Sequence, residues 1–524
     1  MIDGQEHLLY RRQFVLGPRA FHPTEQWKTF GVGGGLTLST HPDLEVCTCE
    51  AGGALLVLIG CALDPTHPQR DSAQVLRAIA DSGGTIAKVI EATESLSGRW
   101  VLLYRDSTDF VLFNDPCGLR QVYYHPGEAG LWCGSQPEII AANAALRPDP
   151  DPLLNEFTGS HVFSDLEGSW AGDRTPYAEC FHLTPNHYLD MNSGKTVRYF
   201  PRQDLRAIRV EEAIPVAAAL LKGTIKAASH RGPLTLPVTA GWDTRVLLAA
   251  SRDLIGSIPC SVDKMGDLPD SHADIWVPKR LSAKLGFKFE VEDSREDPPE
   301  WFFELLRRNV TGARKGPKVR NIYAKWRRGD KWTNLTGNVS EVCRSFYDKR
   351  GWMDQRNLKP DRLAGIFGYG KSRFAVQELT RWKAALDCCR VGGFQILDMM
   401  YWEQRMGRWG CQFAAEQDVA IEEIAPFNNR RLLTTLLAVP AEYRTGPRYR
   451  VYDALIRHLW PQAMSEPLNP EPFVTKLKGH AGALAKRWLP DWLVNALRER
   501  RLQMAVARRT RREGKRGREQ SRSA

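Results

Sequence analysis

Short apolar runs broken by Gly, Asp and Pro fill the first 145 residues. Ala54-Leu55-Leu56-Val57-Leu58-Ile59, Trp100-Val101-Leu102-Leu103-Tyr104, Phe110-Val111-Leu112-Phe113 and Val122-Tyr123-Tyr124 are the clearest. Runs this short and this closely spaced predict the strands of a β-rich domain. Asp115-Pro116-Cys117-Gly118 reads as a turn between two of them. Helical periodicity is confined to about Ser72–Asp81 and Ile139–Leu146. The Pro/Asp-rich Arg147-Pro148-Asp149-Pro150-Asp151-Pro152 then punctuates the chain, and a boundary is expected there.

From about Val210 the rhythm changes. A long apolar helix pattern, Glu211–Ala228, precedes a strand, Pro233–Val238, and a tight polar turn leads into a helix over Thr244–Arg252. A second strand (Ile258–Val262), a helix (His272–Gly286) and a third strand (Lys288–Val291) follow. Alternation of this kind predicts a parallel sheet with helices on both faces. Beyond Leu335 the chain reads as mostly helical, rich in Trp, Tyr, Met and Arg.

Composition adds limits. The 524 residues are too many for one hydrophobic core, and 43% hydrophobic with 25% charged residues excludes a disordered or fibrous chain. The opening Met1-Ile2-Asp3-Gly4-Gln5-Glu6-His7 has no apolar core, so no secretory signal is expected. Ala51–Leu63 is the longest uncharged apolar stretch; its 13 residues suit a buried strand rather than a bilayer span, so no transmembrane segment is expected. Eleven scattered cysteines without a C-x-x-C pair point to thiols in a reducing cytoplasm.

The net charge of +11 suggests a polyanion partner until it is located. Residues 498–524 hold eleven Lys/Arg against three acids, which leaves a balance of only +3 for the first 497. A helix start at Leu489-Pro490-Asp491-Trp492 and the Arg/Gly/Ser-rich residues after Ala507 make 485–524 a basic helical and disordered tail. Such a tail suits an anionic membrane surface or another polyanion, or is simply solvated.

The chemistry concentrates in Thr239-Ala240-Gly241-Trp242-Asp243-Thr244, between a buried strand and a helix. Ligands of open α/β sheets bind where such turns lie, at the carboxyl ends of strands. Small residues let backbone N–H groups approach an anion, the helix N-terminus adds partial positive charge, and Asp243 suits a Mg²⁺ shared with a phosphate. The same residues also suit an ordinary strand-to-helix turn with Asp243 as a cap.

Thr-Ala-Gly-Trp-Asp-Thr resembles the Ser-Gly-Gly-x-Asp-Ser pyrophosphate loop of the asparagine synthetase family, and further landmarks follow in that family's order. They are Cys260-Ser261-Val262, His272-Ala273-Asp274, Leu335-Thr336-Gly337-Asn338-Val339-Ser340-Glu341 and Glu422-Glu423-Ile424-Ala425-Pro426-Phe427-Asn428-Asn429. Upstream, Leu96–Trp100, Gly118–Tyr124 and Cys180–His187 resemble the family's glutaminase-like domain and its connection. The resemblance spans roughly residues 30–465.

The resemblance implies an α/β architecture. An N-terminal β-rich Ntn-type α+β sandwich, a degenerate glutaminase-like domain with its connection, would take residues 1–200. A doubly wound parallel-sheet ATP-pyrophosphatase domain of the adenine nucleotide alpha hydrolase type, with a helical C-terminal part, would take 205–480. It implies ATP and Mg²⁺, adenylation of a small-molecule or peptide carboxylate with loss of pyrophosphate, and amide formation with ammonia or an amine. Thr239, Ala240, Gly241, Asp243 and Thr244 would hold the phosphates. Val238 and Val262 would flank adenosine, with Thr336 and Gly337 close by, and Asp243 and Glu341 would bind magnesium.

Three departures from the family pattern qualify this. No Cys precedes Cys47, so a domain without glutaminase activity is expected. Asn338 stands where the family has Glu or Tyr, and Asn cannot act as a general base. The family's late Arg-x-Lys is missing after Pro461, leaving Lys476 as the candidate phosphate-neutralising lysine. A β-lactam or macrolactam cyclase of a biosynthetic cluster, or an inactive nucleotide-binding scaffold, are the alternative expectations. Leu397–Arg405 could line an acceptor pocket, with Glu403 or Arg405 orienting a substrate, although its Met and aromatic spacing is also that of a core helix.

Overall fold

Strand Ala54–Leu63 is buried over most of its length because both of its faces are covered. Its residues alternate between two cores: Val57 and Ile59 point into one cluster with Phe14, Leu16 and Leu38, while Leu56 and Leu58 point into another with Leu76 and Ile79. The neighbouring strand Ser97–Arg105 follows in register, with Val57 opposite Leu103 and Ile59 opposite Val101. Covering on both sides turns the expected alternation of apolar and polar residues into a continuous apolar run.

The computed structural model describes residues 4–470, apart from positions 129, 266, 267, 315, 330, 350 and 352. Lys476, the end of the 205–480 segment and the whole 485–524 tail therefore lie outside the described residues.

The architecture is mixed α/β, with two antiparallel sheets and one parallel sheet. The first antiparallel sheet runs Phe181–His182, Tyr123–Gly127, Gly130–Gly134, Phe14–Gly17, Leu36–Thr40, Lys28–Gly33 in spatial order. The second runs Lys195–Arg198, His187–Asp190, Phe110–Asn114, Ser97–Arg105, Ala54–Leu63, Val46–Ala51. Inner-face residues of both sheets meet in one apolar cluster, so they pack as a sandwich. The expected turn at Asp115 is present, and the buried Asp115 carboxylate accepts the N–H groups of Leu119 and Arg120 at 2.9 and 2.8 Å. The Pro/Asp segment at 147–152 interrupts nothing: it leads into helix Pro152–Thr158, and the antiparallel strands continue to Arg198.

The parallel sheet has the order Phe289–Glu292, Cys260–Asp263, Leu234–Pro237, Thr333–Leu335, Glu422–Ile424. By position in the chain this is 3-2-1-4-5, so the direction of winding reverses beside the Leu234–Pro237 strand. Helices Val210–Ser229, Trp242–Ala250 and Ala273–Leu285 form over the expected segments with small shifts at their ends. The helix after the central strand starts two residues earlier than expected, with Gly241 as its N-cap. His272 and Gly286 are caps rather than helical residues, and Gly286 takes the left-handed conformation that stops the helix.

The two halves share a core. One cluster of buried side chains extends from Leu56 through Leu221 and Leu236 to Ala463. A Cβ on Gly223 would stand 2.1 Å from the carbonyl oxygen of Pro65, so helix Val210–Ser229 touches the sandwich backbone directly. Charge also crosses: Arg99 donates to both carboxylate oxygens of Asp418 at 2.8 and 2.9 Å, and Arg120 donates to Glu422 at 2.8 Å. Asn428 donates to Asp115 at 2.7 Å. Tyr401–Gly410 is a π-helix, which no apolar period announces. Among the described residues no helix is long and apolar enough to cross a membrane.

Candidate functional site

The reversal of strand order opens a crevice between the loops that leave Leu234–Pro237 and Thr333–Leu335, the usual ligand position in such sheets. The first loop is Val238–Gly241, the second Thr336–Val339. They touch: a Cβ on Gly337 would lie 2.8 Å from the Cβ of Asp243 and 3.4 Å from the amide nitrogen of Thr244. Gly337 and Asp243, from two separate sequence motifs, are thus placed side by side.

The first loop is an anion receptor already in use. Ala240 N–H donates to the Asp274 carboxylate at 2.9 Å. Thr239 N–H donates to the Thr244 hydroxyl at 3.1 Å, and Gly241 N–H to the Thr239 hydroxyl at 3.2 Å. A carboxylate at the N-terminal end of the Trp242–Ala250 helix gains from the helix dipole as well as from the amide. An incoming phosphate would have to take Asp274's place.

The second loop is strained. Val339, fully buried, has φ +78° and ψ −32°, a conformation that β-branched residues rarely adopt and that costs on the order of 1–3 kcal/mol. It directs the 3₁₀ turn Ser340–Cys343 back toward the helix, where the Ser340 hydroxyl donates to Asp243. Tyr452 fixes the same turn by donating to the Ser340 carbonyl at 2.7 Å. Asn338 does not face this crevice as a free group, since its amide donates to Glu423 at 3.4 Å.

Asp243 and Glu341 converge on Arg344. One guanidinium nitrogen lies 3.1 Å from Asp243 and 3.7 Å from Glu341. Burial pushes the Glu341 carboxyl up to about 7, and the like charge of Asp243 adds to this against the pull of Arg344. Burial raises Asp243 as well, with Arg344 opposing. Glu341 Oε2 is buried and has no hydrogen-bond partner. That orphaned oxygen suits a cation, yet the cation beside the pair is Arg344, which contacts the other Glu341 oxygen and one oxygen of Asp243. The pair as arranged does not fit a Mg²⁺.

Beside the first loop lies a cavity of about 280 Å³ on one face of the sheet. Thr239, Val262, Asp274, Asn334 and Lys325 are among its lining. Val262 lines this cavity, whereas Val238 is fully buried in the main core and does not. Lys325, from helix Pro317–Arg328, brings a positive group that sequence reasoning missed. Burial lowers its pKa, with Glu423 opposing.

Glu403 is removed from any acceptor role. It is fully buried and accepts from Arg198, Asn186 and Trp382, all within 2.8 Å. Burial would raise its carboxyl, but Arg198 outweighs that and holds it below the usual range. Arg405 instead stacks on the Trp409 ring at 3.8 Å. Arg344 was not singled out from sequence, and Ser340 and Asp274 entered only as members of longer motifs. The only signal for Arg344 is its spacing of three from Glu341, which puts the two on neighbouring positions of one turn.

The fold and this crevice define a mixed α/β protein with an anion-receptive turn at the switch point of its parallel sheet. No family model and no curated protein matches the sequence. Among solved structures, glutamine phosphoribosylpyrophosphate (PRPP) amidotransferase from B. subtilis, complexed with ADP and GMP, is similar over 64% of this chain and 72% of its own. The identity is 11% and the TM-score 0.23, which assigns this chain to no family.

Proposed function

We propose that this chain is an ATP-dependent, AMP-forming amide ligase of the asparagine synthetase type. A substrate carboxylate attacks the α-phosphorus of ATP, and pyrophosphate leaves. Ammonia or an amine then attacks the acyl-adenylate and AMP leaves. The single observation that carries the reading is the Thr239–Thr244 turn at the switch point, with an anion already seated on its Ala240 amide.

In this reading Thr239, Ala240, Gly241 and Thr244 take the phosphates after Asp274 yields. The adjoining cavity, with Val262 in its wall, takes the adenosine, near Thr336 and Gly337. Lys325 supplies positive charge inside that cavity; Lys476, the lysine favoured from sequence, lies outside the described residues. Oriented amides and fixed cations stabilise the charge that develops on leaving pyrophosphate without reorganising during the reaction. The sandwich of antiparallel sheets supports the Ntn-type reading of the N-terminal part, and the 3-2-1-4-5 sheet supports the ATP-pyrophosphatase reading of the rest.

ATP–pyrophosphate exchange with a panel of carboxylates, and Lys325→Met in the cavity wall as control, tests the proposal. Exchange that is absent with every carboxylate, or indifferent to the substitution, overturns it. A second reading, a nucleotide-binding scaffold without catalysis, is favoured by the loop amides being satisfied within the chain and by Asn338 being tied to Glu423. ATP binding without any exchange would select it.

A further inference from the structure

Arg344 sits in a receptor built for a cation. Two carboxylates face its guanidinium, Asp243 at 3.1 Å and Glu341 at 3.7 Å. Two aromatic rings cover it, Tyr449 at 5.2 Å and Tyr452 at 5.9 Å from the ring centroids. The pocket is stiffened on every side. Ser340 donates to Asp243, Tyr452 holds the Ser340 backbone, and Trp242 meets the edge of Tyr449 with centroids 5.8 Å apart. The side chain of Arg344 is only 13% exposed, so water does little to screen the charges.

A buried pair of carboxylates needs a positive partner, because two uncompensated negative charges in a low-dielectric site are prohibitively costly. A divalent ion and a guanidinium are alternative ways to meet that need. They compete for the same oxygens, since the Asp243 oxygen that would ligate an ion is the one Arg344 contacts and the other accepts from Ser340. Cation–π contacts to two tyrosines favour the guanidinium further, for a hydrated divalent ion is not held by phenol faces in this way.

We propose that Arg344 takes the place of a divalent cation at the Asp243–Glu341 pair, leaving this site closed to metal. Any Mg²⁺ the protein handles then arrives on its ligand's phosphates and is not held by these two acids. The inference stands on the geometry of the free chain and does not depend on the ligase reading.

Mn²⁺ binding to the full chain, followed by electron paramagnetic resonance without nucleotide, tests it. The wild-type chain is expected to leave the free-ion signal unchanged at millimolar Mn²⁺. Arg344→Gln, shown to be folded by circular dichroism, is expected to gain one site at least about tenfold tighter than anything in wild type. Adding Asp243→Asn to that variant is expected to abolish the gain. A wild-type site that Asp243→Asn removes, or a folded Arg344→Gln with no gain, overturns the proposal. Should Arg344→Gln fail to fold, wild-type thermal unfolding in MgCl₂ and in NaCl of equal ionic strength decides. Equal midpoints support the replacement by Arg344, and a Mg²⁺-specific rise lost in Asp243→Asn overturns it. No arm contains ATP, so failure of the exchange assay leaves this test standing.

Discussion

Gly337 and Asp243 approach so closely that a methyl group on the glycine would stand 2.8 Å from the aspartate's Cβ. The glycine has ordinary negative φ, so the requirement is one of space and not of backbone conformation. The neighbour is the first turn of a helix and cannot swing away. Gly337→Ala is expected to cost about 1–3 kcal/mol of stability, the usual range for overpacking, and to separate the two loops of the crevice. Urea unfolding measures the first effect, and pyrophosphate affinity by calorimetry the second. A variant as stable as wild type would show that the loops are not in contact.

Asp274 holds the Ala240 amide that a phosphate would use. Asp274→Ala frees the donor and removes a negative charge from the loop. Pyrophosphate should therefore bind about tenfold tighter, close to 1.4 kcal/mol, as read by calorimetry. Weaker binding in the variant would mean that the carboxylate positions the ligand.

Glu341 carries a pH signature. Its carboxyl is raised from 4.5 to about 7, chiefly by burial. The native state therefore retains a proton that the unfolded chain has released. The associated stability is complete below about pH 4.5 and is lost as the pH rises through 7. Wild type should lose stability across that window relative to Glu341→Gln, whose neutral amide cannot titrate. Parallel profiles of urea midpoint against pH for the two proteins would refute the shift.

Arg99 and Asp418 form a bidentate pair with both side chains almost fully buried. Arg120 shares the same carboxylate at 3.4 Å. Removing the acid strands the buried Arg99 guanidinium, while Arg120 keeps Glu422, so Asp418→Ala should cost about 3–5 kcal/mol. Chemical denaturation reports the loss. Replacing Asp418 and Arg99 together by apolar residues should cost less than Asp418→Ala alone.

Much of the frame was legible because it follows from local pattern. The apolar run at Ala54–Leu63 is a strand, and strand–helix alternation from Val210 is a parallel sheet. The turn Thr239–Thr244 lies at the carboxyl end of the central strand, as its small residues suggested. What stayed hidden depends on partners far away in the chain. Glu403 read as a candidate substrate ligand because nothing local reveals Arg198, 205 residues distant, as its partner. Arg344 was invisible for the same reason, since its meaning comes from Asp243 across the crevice. The π-helix has no sequence period of its own to show, and Val339's left-handed backbone goes against its residue type.

The long-range ties between the halves also set an order of events during synthesis. Arg99 waits for Asp418, 319 residues later, whereas Asp115 finds the amides of Leu119 and Arg120 close by. Until Asp418 leaves the ribosome, the Arg99 guanidinium has no carboxylate to meet, and burying it is costly. That end of the Ser97–Arg105 strand is therefore expected to close late, once about four-fifths of the chain exists. Contacts of such separation make for slow folding, so the first sheets are expected to be sealed among the last events.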